Sequence, residues 1–206
     1  MLGKQIAEDM QKLNLEDTAI IALNEGGAVI AIEIAKKLHS STSLLLLKHV
    51  HLPGNLTLGI INDQGHFTYD QSMQQADIDE FTVEFRGSIE MNKSEALKHL
   101  HSMGSGSLDP HYFTEKNIII VSDTANTGTA FRAAADFLKP IRTGKIVLVA
   151  AIALLPAIDV MHRIGDVLHI VHATDKQFPT DHYFEDDSIP ESKALDFMRQ
   201  QHTLRW

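Results

Sequence analysis

Short apolar runs rich in branched residues alternate along this chain with longer segments whose apolar positions recur at helical spacing. Residues 19–23, 44–48, 117–121, 145–152 and 166–171 are predominantly apolar stretches of strand length. Ile118-Ile-Ile-Val121 has no polar alternation, the mark of a strand buried on both faces. Between these runs lie predicted helices. Residues 2–13 place Ile6, Met10 and Leu13 on one face, and 28–38 do the same with Val29, Ile30, Ile34 and Leu38. Further helices are expected over 129–138, 156–163, where Pro156 suits a first turn, and 190–201. Residues 57–63 and 66–70 read as a hairpin across Gln64-Gly65. A charged helical stretch over 78–103 has a break near Arg86-Gly87-Ser88, and residues 104–110 form a loop. Strands alternating with helices imply an α/β fold, a mainly parallel central sheet flanked by helices, with ligands gathered at the carboxyl ends of the strands.

Composition narrows the class without naming a reaction. The 206 residues are expected to form a single domain, 1–206, with a sizeable core. A formal charge of -9 argues against a general nucleic-acid surface, which needs clustered Lys and Arg. The absence of cysteine excludes disulfides and thiolate metal sites and suits a cytoplasmic protein. The opening segment reads as an amphipathic helix rather than a signal peptide, and the longest apolar run, 146–155, is too short to span a bilayer, so no membrane partner is expected.

Candidate chemistry concentrates in Asn117-Ile-Ile-Ile-Val-Ser-Asp-Thr-Ala-Asn-Thr-Gly-Thr-Ala130. A buried strand runs into a loop of small, hydroxylated residues and then a helix. That order brings backbone N–H groups and the positive end of a helix dipole to one point, where an anion binds. Gly128 admits close backbone approach, while Thr124, Thr127 and Thr129 offer hydroxyl donors. Asp123, at the end of the strand, accepts from neutral hydroxyls such as those of a sugar. A polar loop before a helix also occurs at crossovers that bind nothing. Asn24-Glu-Gly-Gly27 is a second strand–glycine loop–helix unit, and Lys48 closes the next strand.

The apolar run, the acid, three variable residues and Thr127-Gly128 resemble the phosphoribosyl-diphosphate signature of the type I phosphoribosyltransferases. The resemblance extends to Gly26-Gly27, to the turn Pro53-Gly54-Asn55, to the strand pair in 57–70 and to the helical stretch 77–103. It is similar in particular to the predicted phosphoribosyltransferases of bacteria. It implies their fold, with a small hood inserted around 51–116 and an aromatic, acidic C-terminal tail. It also implies that Thr124, Ala125, Asn126, Thr127, Gly128 and Thr129 hold a 5′-phosphate, and that Ser122 and Asp123 stand where two acids hold the ribose. Asp123 is the implied catalytic residue. Glu25, Gly26, Gly27 and Lys48 occupy the diphosphate end, while Phe178 and Tyr183 in the tail would cap an acceptor by stacking. Mg²⁺ would be carried by the substrate's own oxygens, and a homodimer is a further expectation. The expected ligand is a small phosphorylated ribose compound, and the expected activity is transfer of phosphoribosyl with release of diphosphate.

Three positions depart from the pattern. Ser122 replaces the first acid, Ala130 the last hydroxyl, and Glu25 the Arg that usually precedes the two glycines. A carboxylate ~4 Å from a diphosphate charge costs roughly 4 kcal/mol at an effective dielectric near ~20. Losing the Arg removes a charged hydrogen bond worth about another 1.5–3 kcal/mol. A non-catalytic relative that binds a ribose phosphate or nucleotide is therefore the alternative. Asp123-x-Ala125-x-Thr127 also fits a degenerate haloacid-dehalogenase phosphatase signature, a distant alternative that needs a later Lys and acidic pair. The 12 His residues include His49/His51 and His99/His101, a spacing of two that separates them on a helix, and no His-Glu-x-x-His occurs.

Overall fold

The computed structural model describes residues 2–103 and 108–175. Phe178, Tyr183 and the helix expected over 190–201 lie outside the described residues. Five parallel strands form the central sheet: β1 (Thr18–Ala22), β2 (Ser41–Leu44), β6 (Asn117–Ala125), β7 (Ile146–Leu154) and β8 (Val167–Thr174), in the order β2-β1-β6-β7-β8. A separate antiparallel sheet holds β3 (Leu47–His51), β4 (Thr57–Asn62) and β5 (Phe67–Tyr69).

Strand β6 explains why the sheet is covered on both sides. Ile119 and Val121 join one core with Ile6 and Met10 of α1 (Leu2–Lys12) and Ile30 and Ile34 of α2 (Glu25–Leu38). Ile118 and Ile120 point the other way, onto Phe131 and Phe137 of α5 (Thr129–Leu138) and Met161 of α6 (Leu155–His162). The unbroken β-branched run is thus buried in two directions at once, each side chain removing apolar area from water.

The hood lies between β2 and β6 in sequence. Its small sheet packs against α5 on one side and against α4 (Arg86–Ser102) on the other, with α3 (Gln75–Glu84) preceding α4. The expected break falls at Phe85, between α3 and α4.

Two boundaries differ from the sequence expectation. Residues 44–48 are not one strand: the β1 ladder ends as the Leu45 N–H donates to the Ala22 carbonyl at 3.0 Å, and Leu47 opens the hood sheet. Lys48 consequently sits on the edge strand of the hood opposite Ile61, rather than at the carboxyl end of a central strand. The hood accordingly begins at Leu47 instead of near residue 51. Helix α2 starts at Glu25 rather than Ala28, which puts both glycines in its first turn.

Candidate functional site

Strand order reverses between β1 and β6, since β2 continues the sheet on one side and β7 on the other. In an open parallel sheet the crevice beyond such a reversal is where ligands bind. Asn24, from the β1 end, bridges it. Its Oδ1 caps α2 by accepting from the Gly27 N–H at 2.8 Å, and its Nδ2 donates to Ser122 Oγ at 2.9 Å and to Asp123 Oδ1 at 2.5 Å. One side chain thereby fixes the helix start and the ends of both strands.

The glycines of this loop serve packing. A Cβ on Gly26 would lie 2.6 Å from the Asp123 Cγ, and one on Gly27 would lie 2.7 Å from both Asn24 Oδ1 and the Val121 carbonyl oxygen. Their lack of side chain lets α2 press against the end of β6. Gly128 has φ +77°, the left-handed region that favours glycine, and a Cβ there would lie 2.7 Å from the Val160 Cβ of α6. The space freed at Gly128 is filled by α6.

Ser122 and Asp123 divide into a brace and an open acceptor. Ser122 is 1% exposed, and its hydroxyl accepts from Asn24 and donates to the Thr124 carbonyl at 2.7 Å. Its polar capacity is spent inside the protein. Asp123 is 9% exposed, and its Oδ1 accepts from Asn24 and from the Thr124 hydroxyl at 3.0 Å. Its Oδ2, beside Gly26, has no hydrogen-bond partner among the described residues.

Beyond them the loop, expected to hold an anion, is occupied on one side by the hood. Ala125 faces the core and Asn126 is exposed. The backbone N–H groups of Thr127 and Gly128 have no acceptor among the described residues. The hydroxyls of Thr127 and Thr129 are 2.7 Å apart, and both approach Asp70 Oδ2, at 3.3 and 3.2 Å. Asp70 follows β5 of the hood. Neither Asn24 nor Asp70 was a candidate from sequence. Asn24 carried a readable signal, an Asn ahead of a helical pattern; the partners of Asp70 lie 57 and 59 positions away, beyond any local pattern.

Glu25 is exposed in the first turn of α2, where a negative charge complements the helix dipole, and it makes no ion pair among the described residues. Gly27 spends its N–H on the Asn24 cap and has none to offer a diphosphate. Lys48 lines a groove of about 350 Å³ with His49, His51, Asn92, Glu95 and His99. Because 47–51 is a strand, His49 and His51 share a face and their rings stack at 5.9 Å. Desolvation, His51 and Lys48 hold the His49 imidazole below its ordinary range, while the Asp70 carboxylate pulls it up. No group of three or more His, Asp or Glu among the described residues is arranged to hold a metal ion.

A parallel sheet clothed by helices, a hood inserted after its second strand and a small-residue loop at the reversal point agree with the fold that the resemblance to the type I phosphoribosyltransferases implies. No protein-family model matches the sequence, and no curated protein matches it. Among solved structures the chain is similar to TT1426 from Thermus thermophilus, at 17% identity over 96% of this chain and 94% of that one, with a TM-score of 0.69. It is also similar to a purine phosphoribosyltransferase from Pyrococcus horikoshii, at 11% identity over 86% and 87% of the two chains, TM-score 0.46. A hypoxanthine phosphoribosyltransferase from Staphylococcus aureus matches at 12% identity over 85% and 72%, TM-score 0.46. At 17% identity the likeness to TT1426 is one of fold.

Proposed function

We propose that the protein binds a 5-phosphorylated ribose at the loop 123–129, the phosphate on the loop backbone and a ribose hydroxyl on Asp123. The observation that carries this reading is the pairing of a carboxylate oxygen, Asp123 Oδ2, with the backbone N–H groups of Thr127 and Gly128 at the start of α5, none of which has a hydrogen-bond partner among the described residues. A neutral hydroxyl satisfies the first, and an anion satisfies the second together with the helix dipole.

In a transfer reaction the same contacts would orient ribose C1 while an acceptor displaces diphosphate, so catalysis would rest on positioning and charge stabilisation. The Mg²⁺ implied by the resemblance would sit mainly on ligand oxygens. Asp123 Oδ2 and the Glu25 carboxylate are hard oxygen donors that suit it, and it would supply charge neutralisation at the diphosphate. Two features favour binding without diphosphate chemistry: the exposed carboxylate of Glu25 at the start of α2, and the Gly27 N–H committed to the cap. The preferred reading is therefore a ribose-phosphate binding protein of phosphoribosyltransferase-like fold, with catalysis as the second reading.

Asp123→Asn tests it. The variant keeps an acceptor for Asn24 and Thr124 but loses the charged acceptor for the ligand hydroxyl. Calorimetry should show ribose 5-phosphate affinity falling by roughly tenfold or more, as a charged hydrogen bond worth about 1.5–3 kcal/mol is lost. Binding of inorganic phosphate should hold steady or strengthen. Equal losses for both ligands, or for neither, would contradict the assignment of Asp123.

A further inference from the structure

Asp70 is 7% exposed and divides its two carboxylate oxygens between two tasks. Oδ1 builds the turn that follows β5, accepting from the Ser72 N–H at 2.9 Å and the Ser72 hydroxyl at 2.6 Å. Such a turn is made equally well by Asn, so it does not require a charge. Oδ2 leaves the hood altogether and meets the hydroxyls of Thr127 and Thr129.

Proton counting shows what this does to the loop. The two hydroxyls hold two protons. One lies between Thr127 and Thr129 across 2.7 Å, and the other ends on Asp70 Oδ2. Thr129 Oγ1 also accepts from the Gln71 N–H at 3.0 Å. Neither hydroxyl has a donor left for a ligand. A phosphate that took one of them would also bring its charge close to a buried carboxylate, where repulsion is poorly screened.

We infer that Asp70 is an internal carboxylate ligand of the anion loop, competing with phosphate for Thr127 and Thr129 and so setting the affinity of the site. The inference rests on the proposed reading of the loop as a phosphate site. It adds that binding frees the hydroxyls by withdrawing the corner 70–72, so that hood position and ligand occupancy are coupled. Among the described residues, the other side-chain hydrogen bond between the hood sheet and α5, Thr68 Oγ1 to Asp136 Oδ2, is long at 3.4 Å.

The test titrates the full chain, Asp70→Asn and Asp70→Ala with inorganic phosphate and with ribose 5-phosphate by calorimetry. Amide exchange at Gln71 is followed in the wild type as well, which needs no variant. Asp70→Asn retains the turn acceptor and guards against a folding defect in Asp70→Ala. Both ligands should bind the variants about tenfold tighter, because the competing charge faces the phosphate they share. Gln71 exchange in the wild type should accelerate when ligand is added, as its bond to Thr129 is released. Unchanged or weaker binding in Asp70→Asn, or slower Gln71 exchange in the liganded wild type, overturns the inference while leaving the phosphate reading in place. Failure of all three proteins to bind either ligand removes both.

Discussion

Asn24 carries more of the site than any residue of the loop that drew attention first. It caps α2, and it holds Ser122 and Asp123 in place from the opposite strand. Asn24→Ala should cost a helix cap, about 1 kcal/mol, and leave the buried Ser122 and Asp123 short of a donor, about another 1–3 kcal/mol. For a chain of this size a kilocalorie shifts the melting temperature by roughly 2–4 °C, so a fall of about 5–15 °C is expected by calorimetry. A shift below about 2 °C would show that the hub is dispensable. The glycines tell a related story. Gly26 and Gly128 are needed where a Cβ would strike Asp123 and Val160, so substitutions there read as packing defects before they read as ligand defects.

At the level of elements, the hood hairpin carries a buried carboxylate with an ionisation cost. Asp63, just after β4, has an Oδ1 without a hydrogen-bond partner among the described residues, and burial raises its carboxyl above the ordinary value despite its own backbone N–H, the nearby His101 and the backbone of Gln64 and Leu108. The folded state therefore holds that proton more tightly than the unfolded chain does. Below the ordinary carboxylate value both states are protonated and nothing is lost. As pH rises from there through the raised folded value, stability falls, and the penalty stays at neutral pH. Asp63→Asn should match the wild type in urea midpoint near pH ~3 and exceed it at pH ~7. A midpoint unchanged at neutral pH would mean that the carboxylate is solvated in the folded protein.

These elements also show what the sequence made legible. Ile118–Val121 announced a strand buried on both faces because four β-branched residues in a row favour extended backbone and leave no polar face for water. The run Leu44–Leu47 hid a change of sheet, since consecutive leucines have no period to mark where one strand ends and another begins. A spacing of two separates His99 and His101 on α4 but puts His49 and His51 on one face of β3, so the spacing means nothing until helix or strand is known. The start of α2 was hidden by Gly26 and Gly27, which read as loop residues although close packing on β6 is what demands them. The loop 123–129 stood out as local sequence, whereas Asp70, its neighbour only through the hood, did not.

For the molecule as a whole, the reversal between β1 and β6 brings the two glycine-containing turns together, and the hood is docked over one of them through Asp70. No described helix is long and apolar enough to cross a membrane. Lys48, expected beside the diphosphate end, belongs instead to the hood-edge groove with three histidines. In the proposed reading the diphosphate end holds Glu25 and a committed Gly27 N–H, while the phosphate and ribose end has its acceptor and donors. This asymmetry makes the ligand series decisive. Calorimetry of the full chain with ribose 5-phosphate, phosphoribosyl diphosphate and unphosphorylated ribose, with and without Mg²⁺, measures it directly. The expected result is binding of ribose 5-phosphate at least as tight as that of phosphoribosyl diphosphate, with ribose alone not binding. Ribose binding as tightly as its 5-phosphate, or neither phosphorylated compound binding under any condition, would contradict the account.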